Sequence, residues 1–167
     1  MKRTLYVDPG LGGTGWAYFD WLMKKSRKPE PPTATGVIHS PTSERWDNRV
    51  WSVCREFAGV LSAVNPEEVV LEMSALWSGS AKSYASATHH AKGEVADLFK
   101  LTFLIGGLAS VAREYTNKIP TLISPQDWKG QLPKNVVISR LESAFGKKYR
   151  DHEADAVGMG LAAQGGL

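Results

Sequence analysis

The chain has 167 residues, 43% of them hydrophobic and 22% charged, with a net charge of +3 at pH 7. That length suits one domain around one core, and no apolar run reaches the roughly eighteen residues a bilayer span needs, which speaks against a membrane protein. Cys54 is the single cysteine, excluding an intramolecular disulfide framework and a cysteine-based zinc cluster, and suiting a reducing compartment.

In chain order, Thr4 to Asp8 and Thr14 to Trp21 read as two strands joined by the glycine-rich turn of "DPGLGGTG". Next comes a basic, proline-rich loop, "KKSRKPEPP", with Lys24, Lys25, Arg27 and Lys28; solvated loop and phosphate contact are both open readings of it. "TATGVIHS" predicts a third strand. Trp46, Val50, Val53, Phe57, Val60 and Val64 recur at helical steps, and Asn65 and Pro66 end that helix. "EVVLEM" has the short apolar pattern of a strand covered on both faces. A long helix is expected from about Ser83 to Tyr115, with Leu98, Leu101, Ile105, Leu108, Ala112 and Tyr115 on one stripe and Phe103, Leu104 and Val111 widening it. "IPTLIS" predicts a fifth strand, and two helices close the chain, from about Lys134 to Phe145 and from about His152 to Ala163. This β-β-β-α-β-α-β-α-α order predicts an α/β fold with a mixed sheet flanked by helices.

Two strands that otherwise look buried end in an acid, Asp8 and Glu72. An unpaired buried carboxylate costs several kcal/mol or takes up a proton, so each needs a cation or a hydrogen-bond network. On the last helix His152 and Asp155 stand three residues apart and share a face, while Glu153 turns away. Asp151 and Glu153 also suit a helix N-terminus electrostatically, which leaves them a purely structural role. Carboxylates from two strand ends and a helix face, with one imidazole, form a donor set for Mg²⁺ or Mn²⁺. A pair of such ions about 3.5–4 Å apart activates water and stabilises the leaving oxygen in phosphodiester hydrolysis. The glycines after Asp8 then let backbone approach a phosphate.

"VDPGLGGTGWA", "VVLEMS" and "HEADAVGMGLAA", in that order, resemble the signature regions of the RuvC-type Holliday junction resolvases, within the RNase H-like superfamily. The resemblance implies one RNase H-like nuclease domain over residues 1–167, with a mixed five-stranded sheet in the order 3-2-1-4-5. It further implies a homodimer that cuts two like strands of a four-way DNA junction, using two Mg²⁺ ions or Mn²⁺ in their place. Asp8, Glu72, His152 and Asp155 match the catalytic metal ligands by position, with Asp151 as a substitute ligand. Many family members carry an aspartate where His152 stands, and others a histidine.

In the same resemblance Lys92, Lys129 and Lys134 fall where the family has basic residues near substrate phosphates. For Lys92 an exposed helix position remains open, and for Trp128 a core or interface role. The family often has an aromatic residue just after the glutamate of the fourth strand; here the nearest large ring is Trp77, for which base stacking and ordinary packing both remain open. His39 and the pair His89–His90 lack the partner that would suggest a further metal site, and Trp16 reads as core. Sugar kinases and actin-like ATPases share the sheet but need a second large domain, for which this chain is too short. A non-catalytic junction-binding protein and a broader nuclease for flaps and Y-forks are the remaining alternatives. The apolar surface with Phe103, Leu104 and Val111 is the expected dimer contact, and the absence of an export-like N-terminus suggests a cytoplasmic setting, bacterial or phage-infected.

Overall fold

Strand β1 (Lys2–Asp8) runs antiparallel to β2 (Thr14–Trp21), and β2 antiparallel to β3 (Ala34–Ile38). After helix α1 (Trp46–Val64) the chain returns as β4 (Glu68–Glu72), parallel to β1; after α2 (Lys92–Thr116) it returns as β5 (Thr121–Ile123), parallel to β4. The order β3-β2-β1-β4-β5 is the mixed sheet expected from the sequence. Helices α3 (Pro125–Lys129), α4 (Lys134–Phe145) and α5 (Asp151–Ala163) follow. This computed structural model describes residues 2–21, 28–73 and 92–167, without the side chains of 92–95. Trp77, His89, His90, Lys24, Lys25 and Arg27 therefore lie outside the described residues, as does the side chain of Lys92, the first residue of α2.

The two-residue period of the strands sorts their side chains onto two faces. Leu5 and Val7 of β1, with Val69 and Leu71 of β4, join Val50, Val53, Phe57 and Leu61 of α1 and Leu104, Leu108 and Ala112 of α2 in one core. Tyr6, Ala17 and Phe19 turn to the other face and meet Val137 and Leu141 of α4 and Ala156, Val157, Met159 and Leu161 of α5. Small residues let α5 press against the sheet: a Cβ on Gly160 would stand 2.1 Å from the Phe19 ring. Helix α1 stops where expected, at Asn65, whose left-handed φ of 47° lets its amide donate to the Leu61 carbonyl.

Helix α2 corrects the expected pattern. Its buried stripe is Leu104, Leu108 and Ala112, flanked by half-buried Leu101 and Val111, whereas Tyr115 is exposed. Leu104 is fully buried and Val111 packs against the same core, so of the expected dimer contact only Phe103 remains on the surface, at 54% exposure. The helix is apolar on two sides, and residue spacing alone does not tell which side meets the sheet. Gly107 serves close packing rather than a break, since a Cβ there would lie 2.8 Å from Cys54 Sγ on α1. Trp16, expected in the core, is half-buried and packs against it from the side, its ring over Gly36 of β3. None of the described helices is long and apolar enough to cross a membrane.

Candidate active site

Val7 of β1 stands opposite Leu71 of the parallel strand β4, so the next residues, Asp8 and Glu72, come side by side at the same strand ends. By the two-residue period both share the face of Tyr6 and Val70, the face covered by α5. There Asp155, one turn into α5, is only 7% exposed, and Asp8 only 6%. Three acids far apart in sequence thus come near one another on the α5 side of the sheet, close enough for their charges to act on one another.

Each carboxylate has a specific partner. His152 Nδ1 lies 2.6 Å from Asp8 Oδ2. Trp128 donates its indole N–H to Glu72 Oε2 at 2.7 Å. Lys129 Nζ reaches Asp155 Oδ1 at 3.4 Å, and Lys134 Nζ reaches Asp155 Oδ2 at 3.2 Å. Trp128 and Lys129 come from α3, a short helix not anticipated from the sequence. It forms because Ser124 and Asp127 cap it reciprocally, the Asp127 carboxylate accepting from the Ser124 amide at 2.7 Å and its hydroxyl at 2.8 Å, with Pro125 in the first turn. The Lys129 ammonium also sits 4.7 Å from the centre of the Trp128 ring.

Electrostatically the cluster is under tension. Burial, then the charge of Asp8, pushes the Glu72 carboxyl up to about 7 against the opposing bond from Trp128. Burial likewise raises Asp8, opposed by its bond to His152, while that bond holds the imidazole above its ordinary value. An oxygen-rich, mutually repelling set with one imidazole matches the chemistry of a hard divalent cation. The expected cage is not preformed, however: among the described residues no three His, Cys, Asp or Glu side chains are grouped to hold an ion. Each carboxylate is engaged by other partners instead, Trp128 on Glu72, two lysines on Asp155 and His152 on Asp8.

This tension sets a stability prediction. A carboxyl raised from 4.5 to about 7 lends stability fully below pH 4.5 and loses it as pH rises through about 7. In EDTA at pH 8, Glu72→Gln should therefore be more stable than the parent by about 1–3 kcal/mol, with the gap closing towards pH 4.5. Thermal melts at both pH values check this; equal melting at pH 8 would mean the Glu72 charge is already compensated. Trp128→Phe keeps the ring and removes the N–H that holds Glu72, so about a tenfold fall in turnover is expected, with substrate affinity little changed. Single-turnover kinetics decide it, a rate within twofold of the parent showing that Glu72 needs no such anchor.

The glycine turn has a role the sequence reading did not assign. A Cβ on Gly15 would lie 2.1 Å from the backbone carbon and oxygen of His152, and one on Gly10 would lie 2.7 Å from His152 Nε2. These two glycines make room for the start of α5, which brings His152 to Asp8. Only Gly12, whose Cβ would meet nothing within 4 Å, keeps open backbone of the kind expected to face a phosphate. Asp151 points to solvent, its side chain 91% exposed and 4.0 Å from Lys134, and is no part of the cluster. Glu153 turns away as expected, accepting from Thr35 Oγ1 at 2.7 Å. Sequence reasoning missed Trp128 as a partner of Glu72; the Ser-Pro-x-Asp start of α3 was the available signal.

No protein-family model matches the sequence, and no curated protein sequence matches it. Solved structures do. RuvC of Thermus thermophilus in complex with a Holliday junction substrate superposes with a TM-score of 0.71 at 20% identity, covering 97% of this chain and 92% of that one. The yeast mitochondrial Holliday junction resolvase Ydc2 gives a TM-score of 0.58 at 14% identity, covering 99% and 81%. The fowlpox virus resolvase, in complex with Holliday junction DNA, gives 0.50 at 19% identity, covering 98% and 97%. The sheet order, the flanking helices and these superpositions together identify the architecture: the chain has the RNase H-like fold of the RuvC-type Holliday junction resolvases.

Proposed function

We propose that this chain is a metal-dependent endonuclease that resolves four-way DNA junctions by paired nicks, acting as a homodimer through one nuclease domain spanning residues 1–167. The observation that carries this reading is the convergence of Asp8, Glu72 and Asp155 beneath α5, with His152 on Asp8. Three acids brought together and half-neutralised by lysines weaken a fold unless they serve a ligand. The fold adds weight, since solved proteins that share it are Holliday junction resolvases.

Asp8, Glu72, His152 and Asp155 would hold two Mg²⁺ ions, or Mn²⁺ in their place. When bound, the ions supply an activated water and neutralise charge at the leaving oxygen. The chain's own groups do the positioning: His152 fixes the Asp8 carboxylate, Trp128 fixes Glu72, and Lys129 and Lys134 become free to attract phosphate once Asp155 no longer holds them. Lys92 and Trp77 are further DNA contacts by sequence position. The setting is the cytoplasm of a bacterial cell or a phage-infected host.

For dimerisation, Phe99 and Phe103 of α2 are 63% and 54% exposed, pack edge-on against Trp46 and border an open cavity with Gly106 and Ser110. A second copy covering this face is the expected arrangement. Sedimentation should show a dimer at micromolar concentration and a monomer for Phe103→Glu; a monomeric parent would remove the basis for paired cutting.

The function is tested with an immobile junction labelled on each strand in turn and incubated with Mg²⁺. Symmetric nicks in two like strands support junction resolution. Equal cutting of a Y-fork would make the protein a broader branched-DNA nuclease, and binding without cutting in Mg²⁺ or Mn²⁺ would make it a non-catalytic accessory protein.

A further inference from the structure

His152 also borders a second space, a cavity of about 430 Å³ that neither Glu72 nor Asp155 lines. It lies between the hairpin tip at Gly12 and Gly13, the end of β3 at His39, and Arg150 just before α5, with Lys134 at its edge. The Arg150 side chain is exposed, and no hydrogen bond or ion pair joins it to a described residue. His39 Nδ1 lies 3.4 Å from the Gly12 carbonyl. A carbonyl only accepts, so the imidazole donates and tethers the tip to the end of β3.

Two carboxylates border the same cavity, Asp151 and Glu153. Glu153 is engaged by Thr35 Oγ1 at 2.7 Å and by Lys147 Nζ at 3.8 Å, and Asp151 points to solvent with Lys134 4.0 Å away. Neither is paired with Arg150. The walls carry no apolar residue but Val37 and no large ring, so they do not suit a stacked base. A guanidinium fork beside open backbone suits the oxygens of a phosphodiester. Two of its lining residues touch the acidic cluster, Lys134 at Asp155 and His152 at Asp8.

We infer that the cavity seats a backbone phosphate of the strand being cut, next to the scissile one, with Arg150 as its ligand and His39 holding the glycine tip beside it. This rests on the nuclease reading. It assigns the strand a direction across the protein, from the acids over Lys134 towards β3, and gives His39 and Arg150 a purpose that the metal chemistry does not require.

The test is equilibrium binding of a four-way junction in EDTA, where cutting is suppressed, for the parent, Arg150→Gln and Arg150→Lys. Junctions carry a single neutral methylphosphonate at successive positions flanking the mapped nick. Arg150→Gln should weaken binding on the order of fivefold and make the slope of log affinity against log salt shallower by about one unit. One flanking methylphosphonate should weaken the parent to a similar extent and Arg150→Gln no further. Arg150→Lys should recover the salt slope but only part of the affinity. His39→Ala provides an independent check, with about a twofold loss and an unchanged slope. Both side chains are exposed, so melting temperatures should match the parent.

Parent-like affinity and slope in Arg150→Gln would overturn the assignment, as would additive losses from that variant and every methylphosphonate. A parent that neither binds nor cuts the junction would overturn the nuclease reading and this inference with it, and is told apart because no variant is then needed to see the failure.

Discussion

Asp8→Asn is expected to lower junction cleavage by about 10³-fold or more, equivalent to ~4 kcal/mol of lost transition-state stabilisation, while binding survives. Asp8 is the most central of the acids: it ends β1, faces Glu72 across the parallel pairing, accepts His152 at 2.6 Å and is nearly buried. Asparagine keeps the shape and one acceptor oxygen but removes the charge a divalent cation needs. Burial raises the Asp8 carboxyl, so the charge is held at a cost, and the neutral amide should not lower the melting temperature in EDTA. Cleavage assays, binding titrations and thermal melts on the same preparation separate the outcomes. A variant that cuts within tenfold of the parent would place the chemistry elsewhere, and one that no longer folds would make Asp8 a structural acid.

Gly15→Ala should damage both folding and activity. The added methyl would stand 2.1 Å from the His152 backbone, which cannot rotate away as a side chain does, so the start of α5 must move. Overpacking of this kind costs about 3 kcal/mol, or roughly a 6–12 °C fall in melting temperature for a chain of this size. A shift near 1 Å in His152 should cost about 10²-fold in rate. Gly12→Ala is the control, because its methyl enters open space; its melting temperature should stay at the parent value. Equal melting temperatures for Gly15→Ala and the parent would mean that α5 is not seated against the hairpin as described.

Where sequence and structure agree, the agreement has a physical source. Asp8 and Glu72 stood out because a carboxylate at the end of an apolar strand needs compensation wherever it lies, and Asp155 because it sits among small residues a turn into a helix. Their meeting followed from strand order, which the motif resemblance supplied and periodicity alone did not. The miss on α2 arose because its two apolar sides, one for Leu104 and Leu108 and one for Phe99 and Phe103, look alike in a one-dimensional pattern. For Trp128 the sequence leaves a core or interface role open beside a place in the substrate-facing tract; its indole N–H has to find an acceptor once buried, but only the fold shows that Glu72 provides it. The sequence predicts room for a phosphate at the opening glycines, whereas Gly10 and Gly15 are room for His152. A close approach requires glycine whichever partner approaches, and sequence does not name the partner.

The most direct measurement is cleavage of a labelled immobile four-way junction by the parent chain, beside a linear duplex of the same sequence, in Mg²⁺ and in EDTA. Metal-dependent cutting of the junction, with the duplex left intact, is the predicted result. Cutting that persists in EDTA, or that consumes duplex as fast as junction, would contradict the account of a metal-dependent, structure-selective nuclease.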